Sequence, residues 1–183
     1  RQGARKFLRF PAGGTSTPSD WPLLGDCGAF NYRDHEVPPF SVDEVIDFYV
    51  DGHFTHGVSV DHMIGAYKPE MDTVGLFGST VPKSYTDRFN ITLDLASEFI
   101  GKTKDNKQGF HPIGIAQGWS PKSYQEAVIR LMGMGYDYIA LGGLVPLKTK
   151  DILEVLSAVK DVTHGNVMLH LFGVTRLENF NQY

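Results

Sequence analysis

A single cysteine, Cys27, stands among the 183 residues, and that scarcity removes two possibilities at once. One thiol cannot close an internal disulfide, nor build a cysteine-rich zinc site from this chain alone. A reducing, cytoplasmic compartment is therefore expected. Long apolar runs are missing too: none approaches the roughly 20 residues needed to cross a bilayer, so no membrane partner is expected. There is neither an initiator methionine nor a signal-like apolar core at the N-terminus, and the chain is expected to begin inside a longer protein. Positive charge is in deficit, with 17 Lys and Arg against 21 Asp and Glu for a net charge of −4. That balance argues against holding nucleic acid by charge alone; the basic start "RQGARKFLR" reads as a solvated end. No Gly-x-Gly-x-x-Gly follows the first apolar run, which speaks against a dinucleotide site.

What is present is a soluble, globular composition, 42% hydrophobic over a length suited to one domain. Residues 1–183 are read as that single domain, with 1–20 an irregular N-terminal segment. Beyond it the chain alternates short apolar runs with amphipathic stretches, the pattern of βα units feeding a parallel sheet. The runs are "PLLGDCGAF", "THGVSVDHMI", "HPIGIAQGW", "DYIALGGLV" and "NVMLHLFGV". Each is compact enough for a strand buried on both faces.

The helices between them announce their starts. "SVDE" at Ser41–Glu44 has the capping-box form, followed by an apolar stripe of Val42, Val45, Ile46 and Tyr49. Ser120 and Pro121 supply a cap and a preorganised first residue before Tyr124, Val128, Leu131 and Met132. After Thr149, Ile152, Val155, Leu156 and Val159 share a face, and Thr175–Glu178 opens a further capping box. The long connection from Met63 to Phe110 carries a helix with Phe89, Leu93, Ala96 and Ile100 on one side. A connection of that length is more often functional than ornamental.

Polar residues recur at the ends of different strands: Asp26, Asp61, Gln117 and His170. Barrel enzymes build their sites there, which favours an α/β fold of the (β/α)8 TIM-type, incomplete here with about five βα units, over an open doubly wound sheet.

Each of these residues has a plain reading beside a chemical one. Asp26 precedes Cys27, Gly28 and Ala29, small residues that let a flat ligand approach; otherwise it caps a turn. Asp61, in "GVSVDHM", can accept two hydrogen bonds from an edge such as N1–H and N2–H₂ of guanine, share a metal with His62, or sit in a salt bridge. "GIAQGW" ends in an amide beside Gly118, and "LGGLVP" places the unshielded N–H groups of Gly142 and Gly143 where an acceptor oxygen can meet them. Cys27 reads as a small buried hydrophobe rather than a nucleophile. His170 reads as a core or wall residue rather than a metal ligand. His53, His56, His111 and His164 fall in loops or turns and receive no role.

Taken in order, "GDCGAF", "SVDHM", "GIAQGW", "ALGGLVP" and "LHLFGV" resemble the successive strand ends of the tRNA-guanine transglycosylases, and most closely the branch that inserts 7-deazaguanines into DNA. The resemblance covers about residues 21–183 and rests on five motifs in the correct order. It implies a barrel enzyme that exchanges guanine in nucleic acid, with DNA favoured over tRNA, for a 7-deazaguanine by a retaining double displacement. By motif, Asp26 corresponds to the general acid/base and Asp61 to the aspartate that reads the base edge. Gln117, Gly118, Gly142 and Gly143 correspond to the parts holding the O6 side, and Phe30 to a residue near the base stack.

Asn31 departs from the family, which has glutamine there. The family's nucleophilic aspartate lies on the strand after the "LFGV" helix, beyond Tyr183, and its zinc site of cysteines and a histidine lies beyond the barrel. No cofactor is expected in this segment, with zinc assigned to the missing C-terminal part. The other readings are a metal-dependent barrel hydrolase or lyase using Asp26, Asp61, His62 and His170, and a non-catalytic nucleic-acid-binding subunit. Five strands cannot close an eight-stranded barrel, so a protein partner or a second copy of the chain is also expected.

Overall fold

The computed structural model describes residues 3–9, 21–73, 80–103, 105, 108–175 and 181. Over them five strands pair in the order in which they occur: β1 (Leu24–Gly25), β2 (His56–Val58), β3 (His111–Ala116), β4 (Tyr138–Leu141) and β5 (Met168–Leu171). Every pairing is parallel, with Leu24 opposite His56, His56 opposite His111, Ile139 opposite Gly114 and Tyr138 opposite Met168. A doubly wound sheet reverses its strand order at a switch point; this one never does. The order is that of a singly wound, barrel-like sheet, as the alternation of motifs implied.

Five strands laid flat would put their outer edges roughly 19 Å apart, at about 4.8 Å per neighbour. Yet one cavity is lined both by Asp26, next to β1, and by Phe172, next to β5. The sheet is therefore curled, and its strand ends converge on a common hollow.

Helices cover the outer face. After a single turn, α1 (Ala4–Phe7), in the segment expected to be irregular, come α2 (Val42–Gly52), α3 (Lys83–Thr103), α4 (Pro121–Met134) and α5 (Thr149–Thr163). None of the described helices is long and apolar enough to cross a membrane. Both anticipated caps are formed. The Ser41 N–H donates to Glu44 Oε2 at 2.8 Å while Ser41 Oγ accepts from the Glu44 N–H at 3.3 Å. Ser120 Oγ accepts from the Ser123 N–H at 3.2 Å ahead of Pro121. The anticipated stripes face inward: Val42, Val45, Ile46 and Tyr49 on α2, Phe89, Leu93, Ala96 and Ile100 on α3, and Tyr124, Val128 and Leu131 on α4 are all buried. Full burial of such an aliphatic side chain stabilises the fold by about 1.5–3 kcal/mol. The capping box expected from Thr175 lies largely outside the described residues.

Inside the curl, Val58, Ile113, Ile115 and Ala140 form a smaller apolar cluster, with Leu24, Tyr138 and Phe172 against it. Along β3 the side chains of Ile113 and Ile115 share a face, and Gln117, the next residue but one, continues that alternation into the hollow.

Two local expectations fail. "PLLGDCGAF" reads as one long strand, but only Leu24 and Gly25 pair. Gly28 then takes a left-handed φ of 75° and turns the chain into a 3₁₀ helix at Ala29–Tyr32. Glycine alone enters that conformation without a Cβ clash. His56 and His111, expected in turns, open β2 and β3 side by side. His53 and His164 do end helices, both with positive φ.

Candidate functional site

At the converging strand ends lies a cavity of about 500 Å³. Six of the residues singled out by sequence line it: Asp26, Phe30, Asp61, Gln117, Gly142 and Gly143. They come from the ends of four strands, and none is adjacent to another except Gly142 and Gly143. Only the curl of the sheet brings them together.

Asp61 forms the floor. It is 1% exposed, and a carboxylate so deeply placed is costly unless its oxygens find donors. Both do. Gln117 Nε2 donates to Oδ2 at 2.6 Å, and Cys27 Sγ donates to Oδ1 at 3.2 Å. Burial nevertheless pushes the Asp61 carboxyl up to about 6, with the Gln117 and Cys27 hydrogen bonds pulling it back and the nearby Asp26 charge adding to the rise.

Gln117 is itself buried, and its Oε1 has no hydrogen-bond partner among the described residues. Its amide lies against the two glycines of the next strand end. A Cβ at Gly142 would collide with the Gln117 amide, and one at Gly143, where φ is +73°, would come within 3.1 Å of Gln117 Oε1 and of the Tyr124 hydroxyl. The Gly142 N–H donates to Ala116 O at 3.0 Å, and its carbonyl accepts from Tyr124 Oη at 2.7 Å. Gly142 therefore serves the frame, which leaves Gly143 as the glycine with the better claim on a ligand.

Gly118 is not on the cavity wall. A Cβ there would meet Ser123 Oγ and the Tyr124 ring at 2.8 Å, so this glycine lets the start of α4 close on β3.

Asp26 is exposed at the mouth of the cavity and also borders a second hollow, of about 920 Å³, beside α2. Its field reaches across the curl to His170 on β5, whose imidazole is pushed down by burial and held partly up by Asp26. His170 is half-buried, with its ring centre 4.5 Å from that of Phe172. His170 itself does not line the cavity; its ring neighbour Phe172 does.

His62 does not join Asp61. Its Nε2 lies 3.0 Å from the His35 carbonyl and 3.2 Å from that of Glu36, and its main-chain N–H donates to Thr92 Oγ1 at 2.9 Å. The ring is turned away from the cavity, so the shared Asp61 and His62 metal site has no geometric basis. Among the described residues no three His, Cys, Asp or Glu side chains are grouped to hold a metal, and with one cysteine the chain does not fit the family's zinc site.

Three residues escaped the sequence reading. Phe172, just past β5, faces the cavity together with Phe30, which is 65% exposed at the mouth. Arg33 lays its guanidinium 4.4 Å from the Phe30 ring centre and donates to the Phe30 carbonyl at 3.1 Å. Tyr32, buried on the 3₁₀ helix, donates its hydroxyl to the Asp61 main-chain carbonyl at 3.1 Å. The "LFG" motif signals Phe172; nothing local signals the other two.

No family model matches the chain. Over all 183 residues it is 40% identical to a curated protein of Salmonella montevideo named DNA-guanine transglycosylase. The chain spans 41% of that relative's length. Similarity along every part of the chain agrees with the family resemblance carried by the five strand-end motifs.

Proposed function

We propose that this chain forms the base-recognition half of a nucleic-acid guanine transglycosylase, with DNA the preferred nucleic acid and a 7-deazaguanine the incoming base. The observation that carries this is the state of Asp61. A carboxylate has about four lone-pair directions; Gln117 and Cys27 take one on each oxygen, leaving one free on each. Guanine offers two adjacent donors, N1–H and N2–H₂, with the O6 acceptor beside N1. The two remaining Asp61 directions suit the donors, and the Gly143 N–H with the second Gln117 amide hydrogen suits O6. Phe30 and Phe172 supply the aromatic walls for a flat ring. The relative's name supports DNA over tRNA.

Reaching a paired guanine requires turning it out of its stack. Exchange with retention then needs a carboxylate to attack the anomeric carbon and an acid/base to protonate the departing base and deprotonate the incoming one. Asp26, exposed at the cavity mouth, takes the second part; the nucleophile is assigned to sequence beyond residue 183. A 7-deazaguanine presents the same edge as guanine, so one pocket serves both bases. The singly wound order and the relative's greater length support the reading of an eight-stranded barrel.

Competition binding to the full-length protein tests the reading. Wild type should prefer guanine to hypoxanthine, which lacks the 2-amino donor, by roughly 10- to 100-fold, the effect of leaving one charged acceptor unpaired. Asp61→Ala should lose that preference along with most of the affinity. Equal binding of the two bases by wild type would sink the assignment.

A further inference from the structure

Asp61 is held from a direction that base recognition does not explain. Tyr32 Oη lies 3.1 Å from the Asp61 main-chain carbonyl and 3.1 Å from Cys27 Sγ, while Cys27 Sγ lies 3.2 Å from Asp61 Oδ1 and 3.9 Å from the Ser59 carbonyl. Two protons serve these contacts. The phenol has one, and a main-chain carbonyl is a better acceptor than sulfur. The thiol has one, and a carboxylate is the strongest acceptor within its reach. The arrangement that satisfies most atoms has Tyr32 donating to the Asp61 carbonyl and Cys27 donating to Oδ1. Burial, reinforced by the Asp61 charge, pushes the Cys27 thiol up, and burial does the same to the Tyr32 phenol, so both keep their protons at neutral pH.

We infer that Tyr32 and Cys27 are positioning residues, a clamp that fixes the backbone and one carboxylate oxygen of Asp61 so that its free lone pairs face the incoming base edge. The inference rests on the reading of Asp61 as the base reader. It gives Cys27 a part other than inert filler or nucleophile, and it explains why the chain leaves β1 so early: the 3₁₀ helix at Ala29–Tyr32 returns the phenol to within reach of the thiol five residues earlier. The clamp also ties the segment bearing Asp26 to the floor of the cavity, so the proposed acid/base and the base reader share one frame.

The titratable groups facing Asp61 are Asp26, Cys27 and Tyr32 after β1, and Tyr49 on α2. The test follows the Asp61 carboxyl directly, by ¹³C-aspartate NMR of the unliganded full-length protein with the signal assigned through Asp61→Asn, and follows guanine affinity alongside. In wild type the carboxyl should titrate near pH 6. Cys27→Ala removes a donor to the charged form and should raise that midpoint by about one pH unit, weakening guanine binding roughly 5- to 20-fold. Cys27→Ser restores an O–H donor and should return both to near wild type; Tyr32→Phe should weaken binding to a similar degree while barely moving the titration, because its bond is to the main chain.

A Cys27→Ser protein that behaves like Cys27→Ala, or a Cys27→Ala protein with unchanged midpoint and affinity, overturns the clamp. If Cys27→Ala does not fold, Cys27→Ser decides alone: a folded protein whose midpoint rises by a full unit rejects the inference. Should wild type not bind guanine while the midpoints move as stated, the functional reading fails and the clamp stands.

Discussion

The two ends of the same five strands are built on opposite terms. At the N-terminal ends, His56 and His111 stand in register on β2 and β3 with ring centres 5.8 Å apart, Tyr138 of β4 packs edge-on to His56, and His111 Nε2 pairs with Asp137 at 2.8 Å. These polar groups reach solvent, with His56 Nδ1 also 2.9 Å from Thr55 Oγ1, and none of them lines the cavity. At the C-terminal ends a carboxylate is buried outright, an amide oxygen goes without a partner among the described residues, and an aromatic ring is left exposed. Parallel α/β barrels put chemistry at the second end and stability at the first. Here the buried amide oxygen of Gln117, without a partner among the described residues, lies at the second end, the end proposed to take a ligand.

The sharpest test of that division is Asp26→Asn in the full-length protein. Loss of general acid/base catalysis should lower base exchange by roughly 10² to 10⁴, with guanine affinity and melting temperature nearly unchanged because Asp26 is exposed. Near-normal turnover, measured by exchange of labelled guanine, would remove it from the mechanism.

A smaller effect, of opposite sign, is expected for stability at the cavity floor. Burial raises the Asp61 carboxyl from 3.8 to about 6. The folded state therefore binds this proton more tightly than the unfolded state, and the resulting stability is complete below about pH 4 and lost as pH rises through 6. Asp61→Asn should accordingly stabilise the protein at pH 8, by on the order of 3 kcal/mol at most, and much less at pH 4. Denaturant melts at the two pH values check this. A variant that is less stable than wild type at pH 8 would show that the two donors outweigh burial.

The N-terminal end should show the smallest effect. His56 is pushed down by burial and then by neighbouring His111, so the unfolded chain takes up its proton first and stability declines as pH falls through about 6.5. His56→Gln should flatten that acid limb while leaving base exchange at pH 7.5 unaltered. A loss of exchange activity would breach the separation of the two ends.

The strand order, both serine caps and the helix stripes were legible because each depends on neighbours a few residues away. Six of the seven proposed site residues reached the cavity wall for the same reason: they punctuate strand ends, and in a singly wound sheet strand ends meet. Gly118 lies off the cavity wall, where its missing Cβ makes room for Ser123 and Tyr124, and a glycine beside Gln117 looks the same in sequence either way. Tyr32 and Arg33 were illegible because a 3₁₀ turn begun by a left-handed glycine decides where they point. Cys27 was read as filler because its acceptor, Asp61, lies 34 residues further along, beyond any local pattern.

The close fit between Gly142 and the Gln117 amide has a consequence for how this protein can change over generations. A methyl group at 142 would fall where the amide now rests against Asp61, so even alanine there would dislodge a side chain from the neighbouring strand end. A shorter residue at 117 would open the space but leave Asp61 Oδ2 without its donor. Neither position can drift alone. Variation in this wall has to arrive as paired replacements, with the intermediate of each pair impaired, and lineages that keep the activity are expected to hold the glycine and the glutamine together or to exchange both.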